Sequence, residues 1–135
     1  MRVFLGGTQN NSLWRDQVTI NRTIDYIIPE PKVNGVTSSI TEEAKEKCDI
    51  LVYTITPLSI GVSDIVEAAT SIWLYPNKEI IICVLEIDGY MHFNTKMLMD
   101  IRSSFISLIK YGLTVVNTID DLNAHLNKLR LNGTF

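Results

Sequence analysis

Two loops hold most of the residues able to do chemistry. The first, GGTQNNSLWR at 6–15, follows a short apolar run and gathers glycines, hydroxyls, amides, an indole and a guanidinium. Gly6 and Gly7 would let backbone N–H groups approach a ligand closely. Thr8, Asn10, Asn11 and Ser12 suit sugar hydroxyls, Trp14 offers a flat face to a ring, and Arg15 is a bidentate donor for phosphate or carbonyl. The same residues would also make a plain polar turn with Trp14 packed as core, and composition leaves both readings open.

The second loop, PLSIGVSDIVE at 57–67, leads to Glu67 in the first turn of an expected helix. There the helix dipole favours an ionised carboxylate, which suits a nucleophile or cation stabiliser better than a general acid. A carboxylate under an anomeric carbon can attack it or stabilise an oxocarbenium-like transition state. The competing explanation is structural: Asp64 with Glu67 three residues on is the Asp version of a capping box. Thr56, Gly61, Ser63 and Asp64 flank Glu67 as candidate binding residues.

These loops must be positioned by the elements around them. Strands are expected at 2–6, 23–29, 49–56, 79–87 and 113–117. Helices are expected at 12–22, 40–48, 64–75, 96–111 and 119–129, with DGYMHFN at 88–94 as a loop. Ser39 and Glu42 fit a capping box for the second helix. DILVYTIT at 49–56 is nearly all apolar, as a central strand covered on both faces requires. Strands alternating with helices predict an α/β fold, a flavodoxin-like three-layer sandwich on a five-stranded parallel sheet of order 2-1-3-4-5. In that order the strand direction reverses between the first and third strands, where ligands bind outside the carboxyl ends. The two chemically loaded loops border that crevice.

The chain of 135 residues reads as a single domain, 1–135, with no internal repeat or dividing linker. Its net charge of −3, with no basic block, argues against a nucleic-acid backbone binder. No 18-residue apolar run or signal-peptide pattern is present, so the expectation is a cytoplasmic protein without a membrane partner. Cys48 and Cys83 are too few for a disulfide framework or metal site and read as reduced core thiols. No metal ligand cluster and no required cofactor is expected. His125, on the last helix beside Asn123 and Asn127, reads as a surface residue.

FLGGTQNNSLWR, TIDYIIP and CDILVYTITPLSIGVSDIVEAA together resemble the nucleoside 2-deoxyribosyltransferase-like family, particularly its small bacterial and phage branch. The similarity runs from the first strand through the fourth and fades in the last third. It implies cleavage of the N-glycosidic bond of deoxynucleosides or their 5′-monophosphates, with the sugar passed to another base or to water. Glu67 matches the family's nucleophile. Gly6, Gly7 and Thr8 match its sugar-binding loop, and Trp14 and Arg15 its Trp-Arg pair. The chain departs from the family pattern where characterised transferases carry two aspartates: Thr56 and Ser59 or Gly61 stand near those places. The resemblance also implies a homo-oligomer, with His92 or Asn94 of the 88–94 loop as candidates to complete a neighbour's site. Two other readings compete: a TIR-like NAD glycohydrolase, and a non-catalytic nucleotide- or flavin-binding module in which Trp14 stacks on the isoalloxazine.

Overall fold

The computed structural model describes residues 1–9, 11–34, 37–59 and 61–132. Its sheet is built from β1 (Arg2–Gly7), β2 (Asp25–Ile27), β3 (Ile50–Ile55), β4 (Glu79–Val84) and β7 (Leu113–Val116). All neighbours are parallel, in the order β2-β1-β3-β4-β7. This is the expected flavodoxin-like order, β7 being the fifth strand of the sheet. Every residue of β3 is buried, as are five of the six in β1 and in β4. Continuous β-branched and aliphatic runs fit strands covered on both faces.

The helices form two layers. On one face α1 (Trp14–Val18) and α5 (Ile119–Leu131) pack Trp14, Val18, Leu122 and Leu126 against Val3, Leu5, Val52 and Ile81. On the other, α2 (Ser39–Lys47), α3 (Val62–Leu74) and α4 (Thr95–Ile106) cover Phe4, Leu51, Tyr53 and Ile82 with Ala68, Ile72, Leu98 and Phe105. Because α2 lies on the second face and α1 on the first, the chain parts between β1 and β3. The register there brings Gly6 opposite Tyr53 and Gly7 opposite Thr54.

Several boundaries differ from expectation for local reasons. Ser38, not Ser39, caps α2, its hydroxyl accepting from the Thr41 N–H at 3.2 Å, so the Ser39–Glu42 capping box does not form. Gly61, in the left-handed region at φ +56°, starts α3 two residues earlier than expected. Asp64 is therefore the third helical residue and not a cap, and Glu67 lies in the second turn. The expected fourth helix ends at Ile106, and a 3-10 turn at Ile109–Tyr111 then leads to Gly112 at φ +105°. The 88–94 segment is not a plain loop: β5 (Ile87–Asp88) and β6 (Met91–His92) form a two-stranded antiparallel hairpin. Cys48 and Cys83 are both free and buried, and burial pushes their thiols up to about 11 and about 12.

Candidate active site

The first loop is built mainly to hold itself together. At Gly7, φ is +108° and an added Cβ would collide with the Thr54 backbone, so only glycine fits. A Cβ on Gly6 would lie 2.7 Å from the Phe4 ring and 3.0 Å from Tyr53. Beyond them the Thr8 N–H donates to the Thr54 carbonyl at 2.8 Å, and the Thr8 hydroxyl accepts from the Thr56 N–H at 3.0 Å. Thr8 and Thr56 are completely buried and stitch the ends of β1 and β3. Neither presents a group to a ligand.

Trp14 and Arg15 also turn inward: of the two readings left open, Trp14 packs as core, and neither residue faces a ring or a phosphate. Trp14 is 2% exposed, and its indole N–H donates to the Thr8 carbonyl at 2.8 Å. Arg15 spends its fork on three backbone carbonyls: Nε on Leu5 at 2.9 Å, Nη1 on Thr8 at 2.8 Å and Nη2 on Gly7 at 3.3 Å. Its guanidinium lies over the Trp14 ring, 4.5 Å from the centroid. Burial pushes its pKa down to about 10, against the pull of Asp64. The pair clamps the loop whose glycines face the crevice. With Trp14 buried, it offers no face for flavin stacking either. Asn10 lies outside the described residues, and Asn11 is exposed at φ +63°.

Glu67 is the centre of a charged cluster that the sequence did not reveal. Its Oε2 accepts from Lys32 Nζ at 2.8 Å and from the Thr37 hydroxyl at 3.4 Å, and its Oε1 pairs with Lys45. Lys32 also reaches Asp64 Oδ1 at 2.5 Å and Ser63 Oγ at 3.3 Å. Lys45 is 2% exposed, with its ammonium 5.7 Å from the Phe4 ring centroid and 6.0 Å from that of Tyr53. Burial pushes the Glu67 carboxyl up. The hydrogen bonds and charges of Lys32 and Lys45 outweigh it, and the pKa falls below its ordinary value. For Lys32, burial acts downward and the two carboxylates outweigh it, so its pKa rises. Glu67 is thus held ionised by two ammoniums and not by the helix terminus, whose influence fades after the first turn.

The carboxylate adjoins two spaces. On the sheet side is a crevice bordered by Gly6, Gly7, Gln9, Tyr53, Asp64 and Glu67 together with Pro29, Glu30 and Lys32. Its free volume is about 10 Å³, room for a single water. On the outer side a groove of about 410 Å³ runs between α2 and α3, bordered by Thr37, Lys45, Ser63, Val66, Glu67 and Ser71. The structure therefore gathers Gly6, Gly7, Ser63, Asp64 and Glu67 around one place, with Gly61 at the helix start beside them. His92 and Asn94 are not part of it. His92 is exposed on β6, and the Asn94 side chain is committed to capping α4, accepting from the Met97 N–H at 2.8 Å. His125 is not a free surface residue: its Nε2 lies 3.1 Å from Glu79 Oε1, and both side chains are about three-quarters buried.

No group of three or more His, Cys, Asp or Glu side chains among the described residues could hold a metal ion, and no helix among them is long and apolar enough to cross a membrane. No protein-family model matches the chain, and no curated protein sequence matches it significantly. Chemically, the cluster offers an ionised carboxylate beside glycine backbone and a hydroxyl, with cations on both sides. Such a group can attack or stabilise an electron-poor carbon, or bind a cation, but is a poor proton donor.

Proposed function

We propose that the protein cleaves the N-glycosidic bond of deoxynucleosides or their 5′-monophosphates, with Glu67 as the carboxylate acting at C1′. A Glu67 oxygen bonds to C1′ as the C1′–N bond breaks, and the electron pair leaves on the base. Water or a second base then attacks C1′, its proton passing through solvent to the departed base anion, and the carboxylate leaves ionised. The observation that carries this reading is an ionised, largely buried Glu67 next to the glycine pair at the point where the strand order reverses.

The reading requires one ammonium to yield. Lys32 is the one able to, its side chain being 20% exposed against 2% for Lys45. Lys32 borders the crevice, so its displacement would also enlarge it, and a displaced ammonium favours a substrate with an anionic substituent such as a 5′-phosphate. A homo-oligomer goes with this reading. Trp73 and Tyr111, half-exposed with ring centroids 5.8 Å apart, leave an apolar face beside α3 for a second copy. Sedimentation of Trp73→Glu against the parent protein tests it.

The test of the activity is chromatography for free base after incubation with a panel of deoxynucleosides and their 5′-monophosphates, each with and without an acceptor base. Release dependent on acceptor means transfer, and release without it means hydrolysis. No release from any substrate would leave the fold as a binding module.

A further inference from the structure

We infer, on the reading that Glu67 acts at C1′, that Asp64 is a positioning residue: it keeps the Lys32 ammonium at the crevice while Glu67 is bonded to the sugar. The start of α3 sets up the contact. Gly61, in the left-handed region, begins the helix so that Ser63 and Asp64 fall in its first turn. Asp64 and Glu67, three residues apart, lie on the same side of α3, where one cation can bridge them. Lys32 does so, 2.5 Å from Asp64 Oδ1 and 2.8 Å from Glu67 Oε2, with Ser63 Oγ at 3.3 Å as a further contact. Among the described residues no other carboxylate pairs with it. The Asp64 side chain is 13% exposed, and its Oδ2 is turned over Gly61, where an added Cβ would meet it at 2.8 Å.

Glu67 is masked in this arrangement. Lys45 pairs with its Oε1 and Lys32 with its Oε2, so each oxygen carries an ammonium. Oε2 must shed Lys32 before it bonds to C1′, and that bond also cancels the carboxylate charge. An ammonium left partly buried without a partner is costly. With Asp64 and Ser63 already in contact, Lys32 loses one partner and keeps two, and the charge that balances it passes from Glu67 to Asp64. The other charges nearby do not replace Asp64. Arg15 and Lys45 are cations, the former attracted to Asp64 itself. Glu42 pairs with Lys45, and Glu30 borders the crevice without pairing with Lys32. Asp64 thus acts on the chemistry through Lys32 and needs no contact with substrate.

The test has a readout without turnover and one with it. Glu67→Gln removes the carboxylate charge, as bonding to C1′ does, and NMR titration of the Lys32 side chain in that protein reports what then holds the ammonium. Adding Asp64→Asn to Glu67→Gln is expected to lower the Lys32 pKa by about one pH unit or more, because burial then acts against the charge without a carboxylate to offset it. Asp64→Ser replaces Asp64→Asn if the latter does not fold. A Lys32 that titrates at the same pH with and without Asp64 overturns the proposal. The second readout is base release from an unphosphorylated deoxynucleoside, so that no phosphate competes for Lys32. Asp64→Asn is expected to lower kcat about tenfold or more when Lys32 is present, and to cost no more than about twofold in a Lys32→Met background. Equal losses in the two backgrounds would show that Asp64 does not act through Lys32, and overturn the proposal. Absence of base release by the parent overturns the Glu67 reading itself, a result distinct from a Lys32 titration indifferent to Asp64.

Discussion

Replacing Lys45 by methionine isolates the interaction on which the Glu67 cluster depends. Lys45 is 2% exposed, and its ammonium meets Glu67, with Glu42 Oε1 a further 3.3 Å contact. Methionine keeps much of the stem packed near Phe4 and Tyr53 but removes the charge. Glu67 would then sit largely buried with Lys32 as its remaining cation. Losing one partner of a buried pair costs about 3–5 kcal/mol, because the other charge stays desolvated. The lower figure applies here, since Lys32 remains and the Glu67 side chain is 18% exposed. In a chain of this length about 3 kcal/mol lowers Tm by roughly 10 °C. Lys45→Met with Glu67→Gln removes both charges and should recover most of that loss. The assay is urea unfolding of the two single variants, the double variant and the parent, read as a double-mutant cycle. A Lys45→Met protein within about 0.5 kcal/mol of the parent, or strictly additive costs, would mean that Lys45 and Glu67 are not energetically coupled.

Gly7→Ala should destabilise by about 3 kcal/mol or more, combining left-handed strain with a clash against the Thr54 backbone, and is measured by the same unfolding assay. Arg15→Lys cannot serve three carbonyls with one ammonium. It should cost about 2–3 kcal/mol, and thermal melting with loss of the buried Trp14 fluorescence signature reports it. In acid, Glu67 makes a signed contribution. Its folded pKa is depressed, so the stability it supplies is complete above its ordinary value and lost as pH falls through the depressed one. Glu67→Gln should flatten that acid limb in stability-versus-pH curves. Lys32 acts in the opposite window: its raised pKa supplies stability that disappears as pH climbs through the raised value, and Lys32→Met should remove that alkaline loss.

The sheet order was legible because long apolar strands such as 49–56 and 79–87 alternate with helices, a pattern that admits few topologies. The crevice between β1 and β3 followed from the order. What fills it did not. Trp14 and Arg15 were mistaken for ligand groups because their partners are carbonyls of residues 5, 7 and 8, and backbone acceptors leave no trace in a residue pattern. Lys45 looked like one charge among many in TEEAKEK. The available signal was periodicity: Thr41 and Lys45, four residues apart, share the inner stripe of α2, where a buried lysine needs a carboxylate opposite. Lys32 came from a turn-rich segment without periodicity, so nothing tied it to Glu67. The β5–β6 hairpin has two-residue strands, too short for alternation to register, although Asp88-Gly89 is a turn signal, and Gly89 takes φ +61° there.

The most direct measurement is the rate of free-base release from the best deoxynucleoside or 5′-monophosphate in the substrate panel, compared between the parent protein and Glu67→Gln. The parent should release base, and the variant should lose about a hundredfold or more of that rate, because its amide can neither attack C1′ nor neutralise its developing charge. A folded Glu67→Gln protein that releases base as fast as the parent would contradict the assignment of Glu67.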